Sequence, residues 1–309
     1  METRKALDGH AMGIMFILCL IWGLQQVILK AAAADISPLL QIALRSGVAA
    51  LLVGLLMLQR GERIAWHDGS WRPGLLAGFL FAIEFFLVGE GLRFTSASHM
   101  VVLLYTAPIF VAIGLHWQLP AERLSLIQWL GVVLAFGGIV VTFQGKDTAS
   151  GDLSDVLWGD LLALLAGIAW AATTIAVRVS RLASVPATQT LLYQLVVAFV
   201  LLMPAAVMLG QAHFTPTPLT WGSLLFQSLI VSFASYLTWF WLLRHYLASR
   251  LGVFSFLTPL FGVALGVWLL DEPLDGNFLS GSILVCAGII LVSGGNWMRS
   301  WFKNAPRSS

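Results

Sequence analysis

The chain has 309 residues, of which 59% are hydrophobic and only 10% charged, with a formal net charge of +2. Ordinary soluble domains carry about a quarter charged residues, so the composition excludes a soluble globular protein and indicates an integral membrane protein. The small positive balance carries topological information and is no sign of a nucleic-acid partner.

A bilayer-spanning helix needs roughly 20 mostly apolar residues. Ten such windows follow in chain order: 11–29, 39–58, 73–92, 98–119, 126–143, 158–179, 187–209, 219–243, 251–270 and 278–293. The first follows Arg4 and Lys5, as in a signal peptide, but it has full spanning length and no small-residue cleavage site, so it reads as a retained helix. Trp22, Gln26 and Lys30 recur at steps of four and share one of its faces. Arg45 lies in the outer third of the second helix. Glu84 lies about eleven residues into the third, roughly 16 Å at the helical rise and so near the bilayer centre, with Glu90 towards the far end. An ionisable group at that depth is costly and marks a functional site by default.

Tyr105 sits one turn before Pro108 in the fourth helix. Trp170, Thr174 and Arg178 repeat the first helix's stripe in the sixth, Tyr193 lies in the seventh, and the eighth carries Ser228, Ser232, Ser235 and Trp239 along one face. Pro259 recurs in the ninth. Pro108 and Pro259 each remove a backbone donor near mid-membrane, which allows a static kink or a hinge. Cys19 and Cys286 fall inside apolar runs, away from any loop where a disulfide would staple the fold. The six histidines, His99 and His116 among them, stand near predicted helix ends and read as interfacial.

The second half of the chain echoes the first. CLIWGLQQVILK at 19–30 lies over GIAWAATTIAVR at 167–178; Arg93, Ala97, Ser98, Pro108 and Trp117 lie over Arg244, Ala248, Ser249, Pro259 and Trp268; Glu122, Gly131 and Gly138 lie over Glu272, Gly281 and Gly288. The repeat divides the chain into halves at 1–146 and 147–298, with a tail at 299–309. Because each half has five helices, an odd number, the second half must enter the membrane from the opposite side. Of the 17 Lys and Arg residues, Arg45 lies within a span and only Lys30, Arg93 and Lys146 fall on the side away from the termini. The positive-inside rule then places both termini in the cytoplasm. The fold expected is an all-α membrane protein of ten transmembrane helices, in two inverted repeats around a central cavity.

Two five-helix halves, each with a mid-helix proline, a short acidic turn (PAERL at 120–124, DEPL at 271–274) and a closing glycine-rich helix, resemble the EamA-type members of the drug/metabolite transporter superfamily over essentially the whole chain. The resemblance implies a bacterial inner-membrane exporter of amino acids, aromatic and other neutral ones first, or of related small metabolites, working by alternating access. A multidrug or quaternary-amine exporter with Glu84 as counter-charge is the alternative. The expected cavity residues are Trp22, Gln26, Glu84, Tyr105, Trp170, Thr174, Tyr193, Ser235 and Trp239. Arg45 and Glu90 are expected to form an outer ion pair, although the guanidinium could instead hold a substrate carboxylate. Glu84 could bind an ammonium group, take up a proton or fix helix packing. Lys30 and Arg178 read either as cations towards the two mouths or as interfacial anchors.

No phosphate-cradling motif, zinc-type histidine pair or soluble ATPase domain is legible. Transport is therefore expected to be secondary, with no metal or cofactor, the bilayer and a small-molecule substrate as partners, protons as a possible coupling ion, and a monomer sufficient. A membrane-embedded enzyme or sensor is the distant alternative, lacking a visible catalytic cluster or appended domain.

Overall fold

The computed structural model describes residues 8–62, 69–118, 123–143, 153–246, 255 and 257–304. Its helices, in chain order, are α1 (Gly9–Ala31), α2 (Pro38–Gln59), α3 (Trp71–Phe94), α4 (Ala97–Leu104), α5 (Ala107–Gln118), α6 (Leu126–Phe143), α7 (Leu153–Val179), α8 (Ala187–Met208), α9 (Pro218–Leu225), a π-helical segment (Phe226–Ser235), α10 (Tyr236–His245), α11 (Leu257–Leu270) and α12 (Gly276–Asn304). With α4–α5 counted as one broken span, and α9, the π segment and α10 as another, these are ten helical spans. Among the described residues, six stretches are long and apolar enough to cross a membrane: α1, α2, α3, Ala97–Gln118, Ser154–Val179 and α8. Shorter apolar stretches occur in α6, α11 and α12.

Local sequence explains where the helices start. Asp8 caps α1 by accepting from the Ala11 amide at 2.8 Å. Ser37, followed by Pro38 in the first turn, caps α2, and Thr217 with Pro218 does the same for α9. Both pairs join an oxygen acceptor to a residue whose missing N–H costs nothing at that position. Span four breaks at Tyr105 and Thr106, directly before Pro108. Pro259 stands in the first turn of α11, as Pro108 does in α5.

Neighbouring spans alternate in direction, so the molecule has an Asp8 end and a Lys30 end. At the Lys30 end the α1–α2 turn is tied to the α8–α9 connection. Ile36 bridges Phe214, Ser37 Oγ donates to the Gln211 carbonyl at 2.6 Å, and Thr217 Oγ1 donates to Asp35 Oδ2 at 2.7 Å. The broadest helix contacts are α6 with α12 and α3 with α7, followed by α2 and α3 with α8 and α1 with α11.

Glycines permit the closest of these approaches. A Cβ at Gly138 would lie 2.7 Å from the Gly281 carbonyl, and one at Gly288 would lie 2.6 Å from the Gly131 carbonyl. These four residues are two repeat pairs, Gly131 with Gly281 and Gly138 with Gly288. Exchanging mates turns one contact into the other, which is the relation of a local two-fold between antiparallel helices.

The predicted windows agree with the helices to within a few residues at most ends, and α12 continues past its window to Asn304. Span eight departs from the expected uninterrupted α-helix, since ten of its residues are π-helical. Glu122, the repeat mate of Glu272, and the division at 146 lie outside the described residues.

Candidate functional site

Arg45 and Glu84 form the centre of a buried polar cluster. Arg45 is 1% exposed and Glu84 5%. Arg45 Nη1 donates to Gln227 Oε1 at 2.6 Å, and Gln227 Nε2 donates to the Gln25 carbonyl at 3.0 Å, so α2, the π segment and α1 are joined through one amide. The guanidinium carbon sits 4.5 Å from the Phe85 ring centroid, an arrangement that supports a cation on an aromatic face. Arg45 and Glu84 act on one another's charge without an ion-pair contact between them among the described residues.

Several atoms here have unused hydrogen-bonding capacity. Gln26 Oε1, Arg45 Nε, Glu84 Oε2 and Ser232 Oγ are buried with no partner. Each such group costs about 1–3 kcal/mol when left unpaired, so a cluster of them in one region indicates a partner that is not protein. The set offers a cationic donor, an anionic acceptor and a neutral amide oxygen, and can therefore receive a ligand bearing both charges.

Two aromatic pairs flank this region. Trp22 and Trp239 meet edge to face with centroids 5.6 Å apart, and Trp22 Nε1 donates to Ser235 Oγ at 3.0 Å. Tyr105, the residue at the α4–α5 break, meets Trp170 edge to face at 5.1 Å. Trp22 and Trp170 are repeat mates, and each pair joins the two halves, with Trp22 and Tyr105 from the first and Trp239 and Trp170 from the second. Thr174 is turned to its own helix, donating to the Trp170 carbonyl at 3.0 Å.

Other expected members stand elsewhere. Tyr193 packs on α3 near the Asp8 end, where a Cβ at Gly74 would lie 2.5 Å from its ring, and its hydroxyl accepts from Gln189 Nε2 at 3.2 Å. Arg45 and Glu90 are not a pair. Glu90 accepts from Arg93 at 2.7 Å and from Gln211 Nε2, because Arg93 is one helical turn away on the same face whereas Arg45 points into the bundle. Lys30 is neither a lone cation nor a snorkelling anchor: its Nζ donates to the carbonyls of Leu92 at 2.5 Å and Thr95 at 2.8 Å. His99 is 4% exposed and bonded to Asp160 rather than interfacial.

Sequence reasoning missed Gln227, Gln25 and Phe85. Gln227 had a signal, an amide within an apolar run, but its contact depends on the π geometry, which the sequence does not announce. Two hollows lie apart from the cluster. One of about 330 Å³ lies between α1 and the π segment and is lined by apolar side chains with Ser235 and Thr238. The other, of about 170 Å³, opens at the Asp8 end beside Arg60, Thr188 and Trp241. The buried charges, and not either hollow, mark the chemistry.

Residues 10–144 and 157–294 both match the profile of the EamA-like transporter family. The chain is 25% identical over 276 residues to the "uncharacterized transporter YoaV" of Bacillus subtilis, covering 88% of this chain and 92% of that one. It is 26% identical over 294 residues to the "uncharacterized inner membrane transporter YedA" of Escherichia coli K12, covering 93% and 91%. It is 25% identical over 300 residues to a "probable amino-acid metabolite efflux pump" of Salmonella typhimurium, covering 94% and 95%. A crystal structure at 20% identity shares the fold with a TM-score of 0.65, covering 90% of this chain and 95% of the other.

Proposed function

Because this chain belongs to the EamA-like transporter family, we propose that it is a secondary exporter of amino acids, aromatic and other neutral ones, and of related small metabolites across the bacterial inner membrane. One observation carries the reading: a basic and an acidic side chain, Arg45 and Glu84, are both buried with unfilled hydrogen-bonding capacity. A zwitterion supplies the complement, its carboxylate to the guanidinium and its ammonium to the carboxylate, while an aromatic side chain finds Trp22, Trp239, Tyr105 and Trp170. The printed name of the Salmonella relative supports the same substrate class.

The cycle we propose is alternating access between the two inverted halves, 1–146 and 147–298. Both termini are cytoplasmic, as the basic residues suggest, which makes the Lys30 end the outer one. Pro108 and Pro259 serve as equivalent hinges, and a monomer suffices. The buried Arg45–Glu84 cluster then corresponds to a state in which neither side has open access to the site.

The second reading is export of quaternary amines. It is favoured by Glu84 alone, since Arg45 already has Gln227 as a partner. Uptake of labelled phenylalanine, threonine and methyl viologen into proteoliposomes separates the two, using the native chain, Arg45→Gln and Glu84→Gln, with and without a pH gradient. The amino-acid reading predicts that both substitutions abolish phenylalanine flux. Methyl viologen flux that survives Arg45→Gln and is lost in Glu84→Gln, with no amino-acid flux in the native chain, would establish the cation exporter instead.

A further inference from the structure

Three charged side chains from three different parts of the chain converge on the short α3–α4 turn at the Lys30 end. Lys30, from the end of α1, binds the carbonyls of Leu92 and Thr95 at 2.5 and 2.8 Å, where a cation is favoured by the C-terminal dipole of α3. Glu272, from the α11–α12 connection, accepts from the amides of Ala97 and Ser98 at 2.7 and 2.9 Å and from Ser98 Oγ at 2.5 Å. It thus satisfies the free N–H groups at the start of α4. Asp160, from α7, accepts from Thr95 Oγ1 at 2.5 Å and holds His99 Nδ1 at 2.8 and 3.0 Å with its two carboxylate oxygens. The His99 ring in turn stacks on Phe278 of α12, 4.1 Å between centroids and 6° from parallel. The turn is also closely packed on α7, since a Cβ at Gly159 would lie 2.7 Å from the Thr95 amide nitrogen.

We propose that the His99–Asp160 pair is a proton-binding site, and that the proton it holds keeps the α3–α4 turn latched to α7 and so keeps the Lys30 end shut. Counted by formal charge among the described residues, the groups bonded to the turn are one cation, Lys30, and two carboxylates, Glu272 and Asp160. A neutral His99 leaves one negative charge uncompensated in a buried cluster, whereas an imidazolium balances it. Burying net charge is expensive, so the closed latch binds the proton and opening releases it. Glu90 and Arg93 on α3 pair with one another at 2.7 Å and so add no net charge. Histidine is the side chain whose ordinary charge change falls between pH 5 and 8. The proposal rests on the alternating-access reading, because a latch needs an end that opens.

Ala163 provides a reporter. It is fully buried and lies one turn from Asp160 on the α7 face that meets α4, between Asp160 and Gly167, whose Cβ position is 2.9 Å from the Leu104 carbonyl. The full chain with Cys19→Ala, Cys286→Ala and Ala163→Cys is placed in nanodiscs and labelled with a water-soluble maleimide from pH 6 to pH 8, with rates corrected for the thiolate fraction using a free-thiol standard. Labelling is expected to be about tenfold or more faster at pH 8, within the hundredfold that one linked proton allows over two pH units. His99→Gln, which cannot titrate and leaves the negative charge uncompensated at every pH, should be fast and flat across the range. Asp160→Asn, which removes the charge that the proton balances, should be slow and lose the pH slope.

Fast labelling that is flat in the chain retaining His99, or a pH slope that survives His99→Gln, overturns the proton site and leaves alternating access standing. No labelling at any pH, with or without saturating phenylalanine, overturns both. The profile of the chain with an unaltered latch decides the matter even if a latch variant fails to fold.

Discussion

Trp22 of α1 and Ser235 of the π segment are joined by a hydrogen bond of 3.0 Å from the indole nitrogen to the hydroxyl, and Ser235 Oγ in turn donates a hydrogen bond to the Val231 carbonyl at 2.5 Å. The hydroxyl therefore serves both as acceptor for the tryptophan and as donor within its own helix. Ser235→Ala leaves the indole N–H without its partner, at a cost of about 1–3 kcal/mol. Trp22→Phe removes donor and bond together and is expected to cost less. Thermal unfolding in detergent should rank Ser235→Ala below Trp22→Phe, while binding of phenylalanine should weaken more in Trp22→Phe through loss of the larger ring.

Arg45 is expected to discriminate among substrates by their carboxylate. In Arg45→Met, which keeps the length and apolar contact with Phe85, an amino acid should lose roughly 2–5 kcal/mol of binding through loss of a buried charge partner. The corresponding amino-acid amide, already lacking the carboxylate, should lose little. Isothermal titration with the two ligands checks this, and equal losses would remove Arg45 from the binding site.

Glu272 is expected to matter for the fold of span four in a way its position in a connecting turn does not suggest. Glu272→Ala strips two amides and a hydroxyl of their acceptor and should destabilise the protein by about 1–3 kcal/mol. Glu272→Gln retains one acceptor oxygen and should recover part of that. Hydrogen exchange at Ala97–His99 should rise in Glu272→Ala before exchange elsewhere does.

At the Asp8 end the capping carboxylate gives a pH signature. Its bond from the Ala11 amide holds the Asp8 carboxyl below its ordinary 3.8, and the Tyr246 hydroxyl, donating to Oδ2 at 3.0 Å, acts in the same direction. A carboxyl depressed in the folded state contributes stability that is present above its unfolded value and lost as pH falls through the folded one. The difference in melting temperature between the native chain and Asp8→Asn should therefore be constant above about pH 5 and shrink as pH falls below 3.8.

The helical spans were legible because bilayer length and apolarity leave few alternatives, and the repeat was legible because Trp22, Pro108, Gly131 and Gly138 recur where chance apolar matching gives only Leu and Val. The pairings were less so. Arg45 and Glu90 sit at similar depth, and depth is all that a linear count gives; rotation about the helix axis turns Arg45 towards Gln227 and Glu90 towards Arg93. Ser228, Ser232 and Ser235 fit one face of an α-helix and also the wider turn of a π-helix, so their spacing does not distinguish the two. Counted along the chain, His99 lies at a helix end, yet the turn before it folds inward under Asp160 and Phe278. Such burial is set by tertiary packing, which hydropathy does not encode.

Each of the crossed glycine contacts between α6 and α12 takes one residue from either half of the chain. A methyl group gained at Gly138 must find room at Gly281, and one gained at Gly131 must find it at Gly288. Neither half is thus free to diverge alone along this seam, although other corresponding residues of the two halves, Glu84 against Ser235 or Arg45 against Tyr193, have become quite different. Duplicated halves held together this way can specialise elsewhere while remaining bound to the same minimal side chain at these four positions of the α6–α12 seam.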